Sequence, residues 1–252
     1  MIKRYRDRTN RENIQLGVLT AFSAGMVNVI SVIIFFAFTS NITGHFAILA
    51  EEISKGNWYQ VLVVFGWISL FFLGNFTANL IVINFNKTNA YLAHSLPIVL
   101  EIICLLTVGT YTQFYYRETL LETELMVSLM LFAMGLQNGL TATISNAAVK
   151  TTHLTGLTTD LGILTSMFTQ KEYRDRPELR DKMRLLLSIM VSYVVGGVSA
   201  GLIYLTINYN VFYIVCLFLF IVIGYDFYRI EMADYLAKKQ PFYRKTLKNQ
   251  AA

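Results

Sequence analysis

Charged residues are scarce in this sequence. They make up 15% of its 252 residues, and 55% of the residues are hydrophobic. Soluble domains carry about 25% charged residues, so this composition argues against a soluble globular protein. The mean hydropathy of +0.49 is typical of an integral membrane protein instead. The first partner that the composition indicates is therefore the lipid bilayer.

Cysteine and proline are also rare, and the common catalytic motifs are missing from the sequence. The two cysteines, Cys104 and Cys216, lie inside apolar runs, which predicts buried thiols and neither a disulfide nor a metal site. Three prolines and 15 glycines argue against a low-complexity chain. The sequence contains no phosphate-binding glycine loop and no metal-spaced Cys/His cluster, and the GxSxG match at 197–201 lies inside an apolar helical run. We therefore expect no cofactor, no metal and no enzymatic activity.

Six apolar segments are long enough to cross a bilayer as helices, because a span needs about 20 residues. None alternates with a period of two, so a transmembrane barrel is disfavoured. The sequence predicts an all-α membrane protein in which 1–252 form a single polytopic domain. The predicted spans are 14–38, 58–84, 91–113, 125–148, 185–207 and 211–228.

The distribution of lysine and arginine predicts the orientation. With six spans, one face carries the N-terminus, the loops 85–90 and 170–184, and the tail 229–252. This face holds 18 of the 21 basic residues, so both termini and the basic tail are predicted to be cytoplasmic. The basic residues flank apolar runs, so we expect anionic lipid as their partner and no nucleic acid.

The chain contains an internal repeat. The segment TSNITG at 39–44 matches TTHLTG at 151–156, and the helices before these segments match as well. In those helices and the following ones, Phe22, Gly25 and Asn28 match Phe132, Gly135 and Asn138, while Gly74 and Ala78 match Gly196 and Ala200.

The repeat predicts two halves of opposite orientation. Repeat 1 covers about 14–113 and repeat 2 about 125–228. Each half holds three spans, and an odd number forces the second half to insert upside down relative to the first. Inverted repeats of this kind are found in many transporters.

Two polar breaks interrupt the apolar sequence, each at a Thr-Gly pair. The stretches 45–53 and 157–169 that follow are too short to cross a bilayer. We predict that each pair starts a half-helix with threonine as its N-cap and glycine in the tight turn. Their free N–H groups would face a polar cavity at the midplane, although ordinary interfacial loops remain an alternative. The substrate-binding candidates here are Thr43, Gly44, Thr155 and Gly156.

Three amides, Asn28, Gln137 and Asn138, lie in the middle of the first helix of each half. Amides in such positions join helices by hydrogen bonds or line a substrate cavity. Because their helices lead directly into the breaks, we assign all three to the substrate site.

Two carboxylates are candidates for proton coupling. Glu101 lies near the centre of the third span, where a carboxylate facing lipid costs at least a few kcal/mol. It is expected in the bundle interior, either as a proton carrier or in an interhelical hydrogen bond. Asp160 lies in the first turns of the second half-helix, where the helix dipole favours it. Lys150 precedes the second break and is either a counter-charge for an anion or a snorkelling side chain.

The segments AGMVNVIS at 24–31, FTSNITGHFAILA at 38–50, AMGLQNGL at 133–140 and VKTTHLTGLTTDLG at 149–162 resemble the YoaK family of bacterial integral membrane proteins of unknown function. The resemblance covers about 16–228. It implies a multi-pass protein of the bacterial inner membrane and implies no reaction or ligand residue. This chain departs from the family pattern at His45, where we associate the family with asparagine.

Together these features predict a secondary transporter of a small polar or anionic solute, working by alternating access around a midplane cavity, with Glu101 as the proton-coupling group. Two alternatives remain open. One is a passive channel of the same inverted-repeat architecture, and the other is a membrane scaffold or regulator without transport. The sequence is compatible with an oligomer and does not indicate the substrate.

Overall fold

The computed structural model describes residues 9–86, 88–225 and 228, and these residues form helices and turns without a strand. The predicted all-α class is therefore confirmed. The predicted tail, 229–252, lies outside the described residues. The helices are α1 Asn10–Phe35, α2 Ile42–Lys55, α3 Trp58–Phe85, α4 Ala90–Phe114, α5 Leu120–Ile144, α6 Leu154–Met167, α7 Lys171–Arg174, α8 Pro177–Ile207 and α9 over 211–225.

Within the described part of the chain, five helical segments are long and apolar enough to cross a membrane. The first four correspond to α1, α3, α4 and α5. The fifth, Pro177–Tyr225, contains the last two predicted spans. A 3-10 turn at Asn208–Asn210 divides it into α8 and α9, and Asn208 has a positive φ of 49°. The membrane character predicted from composition is thus supported by the helices themselves.

The first helix of each half begins with the same N-terminal cap. The Thr9 hydroxyl accepts from the backbone N–H of Glu12, whose carboxylate accepts from the N–H of Thr9. Thr119 and Glu122 form the same capping box before α5. Such a box satisfies two N–H groups that the helix leaves unpaired. It starts α1 and α5 four or five residues before the predicted bounds of 14 and 125.

Two parallel helix pairs pack closely through glycine. In the α1–α8 pair, a Cβ on Gly196 would lie 2.1 Å from the carbonyl oxygen of Phe22. In the α3–α5 pair, a Cβ on Gly74 would lie 2.3 Å from the carbonyl oxygen of Phe132. A side chain at either glycine would require the neighbouring backbone to shift, because backbone lies where the side chain would begin. These contacts are the close packing that small residues permit between membrane helices.

The core of the molecule lies among α1, α4, α5 and α9. Helix α9 runs antiparallel to α4, since Phe212 packs against Gly109 and the Cys216 thiol lies 3.9 Å from the carbonyl oxygen of Ile102. Cys104 and Cys216 are both buried and free, as predicted. Helices α3 and α8 instead expose large apolar side chains on their outer faces, which suits contact with lipid tails. Examples are Phe65, Phe72, Phe76, Val194, Val198 and Leu202.

Candidate functional site

Each polar break is followed by a 14-residue helix, α2 or α6. At 1.5 Å per residue such a helix is about 21 Å long, shorter than the roughly 30 Å of a bilayer core. Helix α2 folds back along α3, because the ring of His45 in its first turn lies 5.5 Å from the ring of Trp67. The chain reverses at Gly56, which has a positive φ of 70°.

The half-helix starts differ in detail from the prediction. The N-caps are Asn41 and His153, so the assignment of threonine as N-cap was wrong. Each glycine lies in the first turn, where it makes room for the capping residue's side chain. A Cβ on Gly44 would lie 2.7 Å from Nδ2 of Asn41, and one on Gly156 would lie 2.8 Å from Nδ1 of His153. The glycine of each Thr-Gly pair therefore leaves room for the N-cap side chain, and the N-cap itself is a residue outside the pair.

The N-terminal ends of α2 and α6 line one cavity of about 750 Å³. Its other walls come from α1 and α8 on one side and from α3 and α5 on the other. Apolar residues such as Val32, Phe71 and Ala142 form part of the lining. The polar part is concentrated at the two breaks and consists of Asn28, Ser40, Asn41, Thr43, Asn138, Lys150, Thr152, His153 and Thr155, with Asn75 and Tyr193 nearby.

An asparagine holds the linker before each half-helix. Oδ1 of Asn28 accepts hydrogen bonds from the N–H and the hydroxyl of Thr39, at 2.9 and 3.1 Å. Oδ1 of Asn138 accepts from the hydroxyls of Thr152 and Thr151, at 2.9 and 3.4 Å. Both amides also line the cavity, and each holds the linker that follows its own helix.

The two linkers are nevertheless tied differently. Nδ2 of Asn28 donates to the hydroxyl of Tyr193 on α8, a hydroxyl that also bonds the Ser40 side chain. Nδ2 of Asn138 donates to the carbonyl of Met134 in its own helix, at 2.9 Å. The position equivalent to Tyr193 in the first half is Phe71, which has no hydroxyl. Only the first linker is therefore fastened to a helix of the other half through its asparagine.

The seven predicted substrate-binding residues do not all line the cavity. Gln137 is 2% exposed and donates to the Ser23 hydroxyl where α5 crosses α1. Gly44 and Gly156 lie behind the lining, against the capping side chains. Four of the seven line the cavity, namely Asn28, Thr43, Asn138 and Thr155.

The two predicted proton-coupling residues lie apart from the cavity and from each other. Glu101 is fully buried in α4, and neither carboxylate oxygen has a hydrogen-bond partner among the described residues. Asp160 lies on α6 and forms a 2.9 Å ion pair with Lys182 of α8, with both side chains partly exposed. A role in coupling stays a prediction for both.

The cavity has a positive electrostatic character. Lys150 lines it, and no Asp, Glu or Arg is among the described residues that do so. The N-terminal ends of α2 and α6 also point their partial positive charge at this space. At α6 the side chain of the N-cap residue His153 makes no capping hydrogen bond, so it does not occupy the first-turn N–H groups. Such an arrangement favours an anionic or strongly polar group.

Sequence reasoning missed a buried carboxylate at one end of α5. Glu124 is 6% exposed and accepts hydrogen bonds from Tyr59 and Gln60 of α3. The indole N–H of Trp67 donates to its backbone carbonyl, at 3.2 Å. Glu124 therefore fastens α3 to α5. The signal available was the Thr119–Glu122 capping box, which places Glu124 inside the helix.

Comparison with known proteins gives a match to a family model. A family described as a protein of unknown function, DUF1275, matches residues 16–225. No curated protein and no solved structure matches the chain.

Proposed function

The chain belongs to the DUF1275 family, the family of YoaK-like membrane proteins of unknown function. We propose that this member of the family is a secondary transporter of a small polar or anionic solute. The observation that carries the proposal is the meeting of two half-helix starts around one cavity of about 750 Å³. Discontinuous helices that point their N-terminal ends at a substrate site are a recurring feature of transporters.

We propose six spans in two inverted halves as the architecture. Helices α1 and α5 run antiparallel, because Gly17 near the start of α1 approaches Val149 after α5, and Phe35 at its end packs on Tyr116 before α5. The parallel α1–α8 and α3–α5 pairs then correspond to each other when the two halves are exchanged. The antiparallel packing of α4 and α9 supports counting α9 as a sixth span.

The moving parts follow from the packing. Each parallel pair is joined by glycine contacts with the neighbouring backbone, so each pair moves as one body. The cavity lies between the pairs, and α1 meets α5 at the bond from Gln137 to Ser23. Rocking of the two pairs about this crossing would open the cavity to one side of the membrane and then to the other, which is alternating access.

The charge of the cavity indicates the preferred solute. Lys150 and the two helix N-termini attract negative charge, and no carboxylate is present among the described lining residues. An anion is therefore favoured over a cation. Glu101 is proposed as the proton-coupling group, because both its carboxylate oxygens are buried without a hydrogen-bond partner among the described residues, and costly intramembrane carboxyls are characteristic of proton relays.

The location follows from the same proposal. The basic loops and the family indicate a bacterial inner membrane with both termini in the cytoplasm. Single cysteines at Lys55 and Lys182 should then react with an impermeant maleimide from opposite sides of oriented vesicles. Reaction from the same side would refute the inverted halves.

Transport is tested in proteoliposomes with a panel of acetate, succinate, nitrate and phosphate. We expect saturable uptake of at least one anion, stimulated by an imposed pH gradient. Lys150→Gln should weaken uptake by about tenfold or more, as loss of one charged hydrogen bond predicts. Lys171→Gln, in the exposed helix α7, is the matched control and should have no effect.

Two measurements distinguish a proton-coupled transporter from a passive channel. Glu101→Gln should remove the stimulation by the pH gradient while leaving counterflow of the same anion intact. Steady single-channel currents would instead favour a passive pore. Absence of uptake, of counterflow and of current for every anion would contradict the transport proposal.

A further inference from the structure

An apolar groove of about 440 Å³ runs along the outer surface of the α1–α8 pair. The described residues that line it carry no charge, and the Tyr193 side chain is the polar exception. The lining consists of Val29, Tyr193, Val194, Gly197, Val198, Gly201 and Leu202.

The groove adjoins the candidate substrate cavity. Val29 and Tyr193 line both spaces. The hydroxyl of Tyr193 bonds Asn28 and Ser40 at the polar break, whereas Gly197, one turn further along α8, lies under the side chain of Val29. The side chains of Val29 and Tyr193 thus lie between the cavity, whose polar groups are concentrated at the two breaks, and the apolar groove.

Gly201 keeps the groove open and is not required for helix packing. A Cβ there would meet nothing closer than Ile33 and Val29, both at 3.9 Å. At Gly196 and Gly197 on the same helix, a Cβ would clash at 2.1 and 2.6 Å. The first two glycines therefore serve packing, and Gly201 leaves empty space beside lipid.

The combined shape fits one class of molecule. A cavity of about 750 Å³ is in the range that holds drug-sized ligands, and it is far larger than a small inorganic anion requires. Its polar groups are gathered at one place, near Lys150 and the two half-helix starts, while the adjoining groove is apolar. An anionic head with an apolar chain matches both parts.

We propose that this site also takes a single-chain amphiphile with an anionic head, such as a long-chain alkyl carboxylate. The head binds beside Lys150 and the N-terminal ends of α2 and α6, and the chain passes Val29 and Tyr193 into the groove. This inference rests on the proposed function, because the head occupies the same cavity.

The test uses a hexadecanoate that carries a diazirine in the middle of its chain, added to the full-length protein in nanodiscs. Illumination should label the peptide that contains 194–202. Excess unlabelled hexadecanoate should suppress this labelling, and hexadecylamine should not. Gly201→Leu, which fills the groove, should reduce the labelling several-fold. The matched control is Gly66→Leu on α3, because Gly66 also has open space around it.

A second variant keeps the test decisive if Gly201→Leu misfolds. If Gly201→Leu does not elute as a single species, Val198→Phe narrows the groove from its own wall and should have the same effect. Lys150→Gln should also reduce labelling of 194–202, because it removes the charge that holds the head.

Labelling that the amine suppresses equally well, or that none of these variants reduces, would show that bulk lipid fills the groove and would overturn the inference. Uptake of the four-anion panel by the same purified protein in proteoliposomes separates the two proposals. Uptake of a panel anion without specific labelling refutes the amphiphile and leaves the transporter standing. Absence of both specific labelling and uptake of every panel anion refutes both proposals.

Discussion

Gly74→Ala tests the close packing on which the proposed rigid pairs depend. The new Cβ would lie 2.3 Å from the carbonyl oxygen of Phe132 and 2.9 Å from Cα of Gly135. Carbon–oxygen contacts between helices are comfortable only at about 3.3 Å or more. The α3–α5 pair must therefore separate by about 1 Å at its centre, or distort locally.

The expected cost follows from overpacking. Extra methyl groups in a well-packed interior destabilise by about 1–3 kcal/mol. Alanine also gains up to about 1 kcal/mol over glycine in a helix interior, which partly hides this cost. Gly66→Ala measures this gain in helix propensity alone, because Gly66 lies on the same helix and a Cβ there would have nothing within 4 Å. The free energy of unfolding should be about 1–3 kcal/mol lower for Gly74→Ala than for Gly66→Ala.

The assay follows Trp67, whose indole N–H donates to the Glu124 carbonyl across the α3–α5 pair. In a Trp58→Phe background, its fluorescence reports separation of these helices during unfolding in mixed micelles. Gly196→Ala is the equivalent change in the α1–α8 pair, with a Cβ 2.1 Å from the Phe22 carbonyl oxygen. It should cost at least as much. Equal stability of Gly74→Ala and Gly66→Ala would refute the packing argument.

Two further predictions concern contacts at the breaks. Tyr193→Phe leaves Nδ2 of Asn28 without its hydroxyl partner and should cost about 1 kcal/mol. Hydrogen exchange of the Thr39 amide should become faster, while the linker at 150–153 stays unchanged; equal protection in the variant would contradict this. The pair of Asp160 with Lys182 is partly exposed, so a double-mutant cycle should give less than about 1 kcal/mol, and less still in high salt. A coupling energy that salt does not change would contradict this view of the pair.

Much of the architecture can be predicted from the sequence because hydropathy is a local signal. The apolar segments and the two breaks follow from residues close together in the chain, and the repeat follows from comparing two segments of the sequence. Helix starts were predicted less well, since α1 and α5 begin at capping boxes that hydropathy does not detect. The N-caps Asn41 and His153 were missed for a similar reason, because a cap is identified by hydrogen bonds and dihedral angles.

The candidate site was predicted in part. Asn28, Thr43, Asn138 and Thr155 line the cavity, and all four belong to the segments that match each other in the sequence repeat. Gln137 was grouped with its neighbour Asn138, although adjacent helical residues point about 100° apart. It therefore faces Ser23 at the α1–α5 crossing instead.

The sequence by itself determined that this is a helical membrane protein with a polar break in each half. Burial in lipid demands long apolar helices, so a short polar stretch between them stands out in the hydropathy pattern. The tertiary structure decided which helices pair, what each amide binds, and that Tyr193 ties only one of the two linkers. The contacts between helices join residues far apart in the chain, such as Phe22 with Gly196 and Gly74 with Phe132. They depend on distances of a few ångströms between backbones, which no local pattern of residues encodes.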